Sequence, residues 1–73
     1  MRPPIKISAR NTLKGKVVSV EKGATTAHVK IEVADGTVIT SSITNEAVDS
    51  LGLTVGAQAY AVVKASDVMI AVD

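Results

Sequence analysis

From Thr25 to Val33 the chain alternates almost without a break. Ala27, Val29, Ile31 and Val33 fall on one face, and Thr26, His28, Lys30 and Glu32 on the other. Successive side chains of an extended strand point to opposite faces, so this period of two predicts a half-buried β-strand. Asp35-Gly36 follows at once, and Asp-Gly between two β-rich runs is a strong hairpin signal. Residues 37–43 are therefore expected to return antiparallel. Upstream, Leu13 to Glu21 alternates well enough for a strand and carries Gly15, a candidate bulge or point of close backbone approach; Lys22-Gly23 closes it with a turn.

Downstream the pattern changes. Thr44 is a capping residue, Glu46 lies in the first turn that follows, and Gly52 stands where a left-handed stop is wanted two turns later. Together they predict one short helix. Leu53 to Gly56 reads as a connector and Ala57 to Lys64 as a further strand. After a break at Ala65-Ser66, Asp67 to Val72 reads as the last strand. Five strands with one short helix between the third and fourth give an all-β fold class, an OB-like five-stranded barrel, with an open five-stranded sandwich as the competing layout. Pro3-Pro4 has no N–H to offer a sheet, so residues 1–4 are expected to form an extended lead-in and 5–73 a single domain. No internal repeat, low-complexity segment or interdomain linker interrupts it.

Composition sharpens this picture. A chain of 73 residues buries only about 60% of the surface its unfolded form exposes, so a lone subunit should be marginally stable. There is no Cys to supply a disulfide or a thiolate metal site, which leaves self-association as the remaining device. The core must be aliphatic, because the chain has one Tyr and neither Phe nor Trp. A formal net charge of +1, with both signs mixed along the chain, gives no general attraction for nucleic acid. No apolar run approaches the roughly 20 residues of a membrane-spanning helix. The start, Met1 to Lys6, is too short and polar for a signal peptide, so a cytoplasmic location is expected.

Catalysis has little to work with. His28 is the one histidine and sits on the polar face of the clearest strand; the acids Glu21, Glu32, Asp35, Glu46, Asp49, Asp67 and Asp73 are dispersed. Neither a metal-ligand cluster nor a carboxylate pair for acid/base work emerges, and no enzyme activity is expected. The alternative of an OB-fold nucleic-acid-binding module lacks its stacking platform, because Tyr60 is the only aromatic residue. What remains is a set of hydrogen-bond donors near strand ends. Ser8-Ala9-Arg10-Asn11 lies between two apolar segments, Thr40-Ser41-Ser42-Ile43-Thr44 offers four hydroxyls before the helix, and Lys64-Ala65-Ser66 adds a cation, a turn and another hydroxyl.

These segments carry a resemblance. Ile7-Ser8-Ala9-Arg10-Asn11-Thr12-Leu13-Lys14-Gly15-Lys16-Val17 resembles the opening signature of the molbindins, single Mop-type domains related to the TOBE modules of molybdate transporters and regulators. The likeness continues through Ile43-Thr44, Leu51-Gly52-Leu53 and Val55-Gly56, and ends with Val63-Lys64-Ala65-Ser66-Asp67-Val68-Met69-Ile70. The resemblance implies intracellular storage of molybdate or tungstate, with a stand-alone regulatory TOBE domain acting with a transporter ATPase as another role. It implies a homohexamer built as a trimer of dimers, with no nucleic-acid or membrane partner, and oxyanions held between subunits. Carried over by position, Ser8, Ala9 and Arg10 of one subunit would face Thr44, Lys64, Ala65 and Ser66 of its neighbour, with Asn11 in the same motif. The chain has Ala47 where related regulators can place a hydroxyl. A second kind of site near the threefold axis belongs to the family, without residues assigned to it here.

The ligand suits such residues. Molybdate is a dianion whose oxygens only accept, and Ser, Thr, backbone N–H, Arg and Lys are donors. A protonated phosphate would leave its own donor unpaired among them, at a cost of about 1–3 kcal/mol. Sulfate, of the same charge and shape, would be excluded only by size, and tungstate should bind like molybdate.

Overall fold

The computed structural model describes residues 7–73; the expected lead-in at 1–4, and the start of order at Ile5, lie outside the described residues. Four strands form one antiparallel sheet in the order β3-β2-β1-β4. They are β1 (Asn11–Lys22), β2 (Thr26–Ala34), β3 (Thr37–Thr44) and β4 (Gln58–Val63), with helix α1 (Asn45–Leu51) between β3 and β4. Each lies within a residue or two of its sequence expectation.

The alternation in β2 is what organises the molecule. Ala27, Val29 and Ile31 are buried and join Val17 of β1, Ala61 of β4 and Val48 of α1 in one cluster; Val20, Val33, Ile39, Ile43, Leu53, Ala57 and Ala59 pack around it. The opposite face carries Thr26, His28 and Lys30, all exposed. His28 stands across from Glu21 on one side and Ser42 on the other, which is the solvated position expected of it. Burying an aliphatic side chain of this size contributes about 1.5–3 kcal/mol, so six small side chains make a thin core.

Gly15 and the bulge turn out to be separate features. A Cβ on Gly15 would stand 2.6 Å from both the Glu32 carbonyl oxygen and Ile31 Cγ2, so glycine is required for β1 to lie against β2 there. The extra residue comes later, where the β1–β2 register shifts between Val17 and Ser19. This bulge lets Val17 stay buried while Val18 turns outward. Past it, Val17 N–H donates to the Ala57 carbonyl at 2.9 Å and its carbonyl accepts from Gly56 N–H at 2.8 Å.

The Asp35-Gly36 hairpin forms as expected, with Ala34 opposite Thr37. Gly36 adopts positive φ there, at 77°. Helix α1 has both its stops. Thr44 Oγ1 accepts from Ala47 N–H at 3.0 Å, and left-handed Gly52 ends the helix with its N–H donating to Asp49 O at 3.1 Å. Asn45 fastens the helix to the β1–β2 turn, its Nδ2 donating to Gly23 O at 3.0 Å and its backbone N–H to Thr25 O at 2.9 Å.

The expected fifth strand is a correction. Ala65–Asp67 forms a single 3-10 turn, η1, and the segment beyond it, within the stretch Asp67 to Val72 expected to be a strand, pairs with no strand among the described residues. Its apolar side chains stand in solvent, Met69 at 92%, Ile70 at 84% and Val72 at 90% exposure. A strand needs a sheet edge to pair with, and this segment takes none of the edges that the described sheet offers. The all-β, OB-like class and the helix placement stand; the fifth strand is not formed among the described residues.

Candidate functional site

The antiparallel pairing of β1 with β4 builds the site. Its last registered pair is Asn11 opposite Val63, and the side chain of Asn11 reinforces that rung, Nδ2 donating to the Val63 carbonyl at 3.2 Å. Beyond that rung the two chain segments carry Ser8, Ala9 and Arg10, and Lys64, Ala65 and Ser66, to one hollow. Two motifs more than fifty residues apart in sequence thus meet at one end of the sheet because the first strand and the fourth are neighbours.

The meeting place is a hollow of about 650 Å³ lined by Ser8, Ala9, Arg10, Lys64, Ala65 and Ser66, together with Asp67 and apolar Ile7 and Val62. The turn η1 shapes its floor, with Asp67 N–H donating to the Lys64 carbonyl at 2.9 Å and Val68 N–H to the Ala65 carbonyl at 3.3 Å. Among the described residues the one ion pair is Lys22 with Asp49, at 2.6 Å and far from the hollow. Arg10 and Lys64 therefore bring their charges to the hollow without an ion-pair partner among the described residues. Hydroxyls, amides and two cations make it a place for an anion. Its volume is many times that of one water and it is open to solvent, so a single chain lines one side of a small ligand without enclosing it.

Of the expected site residues, six line the hollow from a single chain, whereas the resemblance divided Ser8, Ala9 and Arg10 from Lys64, Ala65 and Ser66 between two subunits; Asn11 braces it. Thr44 does not belong to it. It ends β3, the strand at the opposite edge of the sheet, and pairs with Thr26, whereas the hollow lies at the start of β1; its hydroxyl is occupied as the helix cap. The other hydroxyls of that run divide between the faces. Ser42 is exposed beside His28, and Ser41 is half-buried and lines a separate apolar groove with Val29, Ile43, Leu53 and Tyr60. The residue that sequence reasoning did not include is Asp67, whose only signal was its place directly after Lys64-Ala65-Ser66.

Among the described residues no group of three or more His, Cys, Asp or Glu side chains could hold a metal ion, and no helix is long and apolar enough to cross a membrane.

Comparison with known proteins finds relatives over most of the chain. A probable molybdenum-pterin-binding protein of Haemophilus influenzae is 51% identical over 69 residues, 94% of this chain and all of that protein. The structure of MopII from Clostridium pasteurianum superposes with a TM-score of 0.85 at 54% identity, covering 92% of this chain and 100% of that one. The cytoplasmic molybdate-binding protein ModG, in a molybdate-bound form, superposes equally well at 51% identity, over 89% of this chain and 46% of its own. The TOBE domain model matches residues 7–70, which takes in β1 to β4, α1 and the hollow. Through that match and its end-to-end likeness to single-domain molybdenum-pterin-binding proteins, the chain belongs to the TOBE domain family.

Proposed function

We propose that the protein binds and stores molybdate or tungstate in the cytoplasm, as a homo-oligomer with anion sites at subunit boundaries, and that it catalyses no reaction. The observation that carries this reading is the convergence of Arg10 and Lys64, with Ser8 and Ser66, at one hollow built by the β1–β4 register. Relatives named for molybdenum-pterin binding and a molybdate-bound structural relative supply the ligand class.

In this reading Ser8, Ala9, Arg10 and Asn11 adjoin Lys64, Ala65 and Ser66, and a neighbouring subunit closes the open side and brings Thr44. Two features support assembly. The core is thin, and the exposed Val68, Met69, Ile70 and Val72 form an apolar surface that one chain leaves uncovered. The resemblance makes that assembly a hexamer, a trimer of dimers. A ligand held only by the assembled form stabilises it by mass action, by about 2.7 kcal/mol at a hundredfold excess over Kd.

Native mass spectrometry with and without molybdate tests subunit count and bound anions together. A multiple of the chain mass that gains molybdate, and a melting temperature that rises with it, is expected; a lone subunit with no bound anion would end this reading. Within the site, Lys64→Ala should weaken binding by about tenfold or more, the scale of one charge-assisted hydrogen bond, and more than Lys14→Ala. Isothermal titration giving the reverse order would remove Lys64 from the site.

A further inference from the structure

A hollow made only of donors would be the simplest trap for a dianion, yet an acidic residue also lines this one. Asp67 closes the turn η1 and lines the same space as Arg10 and Lys64. Its backbone N–H holds the turn through the Lys64 carbonyl. Among the described residues, no hydrogen bond or ion pair engages its side chain. The residue is exposed, and a turn of this kind accepts Asn or Ser at the same place as readily as Asp. Its place in the first turn of η1 suits an acid, and no side-chain partner among the described residues neutralises its charge.

Resting on the oxyanion reading above, we propose that Asp67 is a specificity-determining residue that tempers the hollow's attraction for dianions and so keeps a stored anion exchangeable. Its charge offsets one of the two cations that line the hollow. A dianion feels the repulsion twice as strongly as a monoanion of the same shape, because the Coulomb energy scales with ligand charge. The carboxylate therefore compresses the preference for doubly over singly charged tetrahedral anions.

The test is isothermal titration of wild-type, Asp67→Asn and Asp67→Glu proteins with molybdate and with perrhenate, a tetrahedral monoanion, at two ionic strengths. Asp67→Asn removes the charge at constant shape. It should tighten molybdate by about three- to tenfold at low salt, tighten perrhenate by roughly the square root of that factor, and lose most of both gains near 0.5 M salt. Asp67→Glu should stay within about twofold of wild type. Molybdate affinity unchanged or weakened in Asp67→Asn, while wild type binds, would overturn this proposal and leave the storage reading intact. Equal gains for the two anions, or gains that persist in high salt, would overturn it as well. Wild-type protein that gives no molybdate heat would overturn both.

Discussion

Strand β2 and the segment after η1 both read as strands in the sequence and meet opposite fates. Both alternate or run apolar over several residues. The first is paired on each side, by β1 and by β3, and its inward residues are almost fully buried. The second pairs with no strand among the described residues and leaves Met69, Ile70 and Val72 almost fully exposed. The difference is not propensity but the presence of a neighbour. A strand's backbone groups and apolar face are stabilised only when another element satisfies them, and within one chain the sheet offers that to β2 alone.

The largest way to break this contrast is to cut into β2. Val29→Ala removes a side chain that is 1% exposed and should cost about 2–3 kcal/mol, read as a lower denaturation midpoint with unchanged m-value. Next comes the junction between sheet and helix. Thr44→Ala deletes the Oγ1 cap and should cost about 1 kcal/mol; if Thr44 also reaches an anion in a neighbouring subunit, molybdate affinity falls too, beyond what the stability loss explains.

The smallest effect on the isolated chain, and the most informative, is expected in the tail. Ile70→Ser should change the stability of a dissociated subunit by no more than about 0.5 kcal/mol, while shifting sedimentation toward smaller species. A loss as large as that of Val29→Ala at concentrations where the protein is a single subunit would show that the tail packs within its own chain, and would erase the contrast.

Local grammar made most of the fold legible. Period-two alternation located β2, Asp35-Gly36 located the hairpin, and Thr44 with Gly52 bounded α1, because each signal acts through groups within a few residues of itself. Gly15 was legible as an oddity, but not which oddity. Only the packing of β1 on β2 showed that it permits a close approach, while the bulge falls at Val18. The candidate site was legible as separate donor clusters. Nothing in their spacing says that Arg10 and Lys64 meet, since that depends on β1 and β4 being neighbours, and nothing separates Thr44 from them until the sheet order places it at the far edge.

The sequence by itself determined which segments extend, which one coils, where each turns, and that charge and hydroxyl donors cluster near residues 8–11 and 64–66. Those are consequences of side-chain period, capping and backbone freedom, all short-range. Tertiary structure alone decided that the two clusters share one hollow, that Asp67 joins them, and that the last apolar segment finds no edge. Register and strand order are long-range facts, set by which faces bury one another rather than by any residue's own preference.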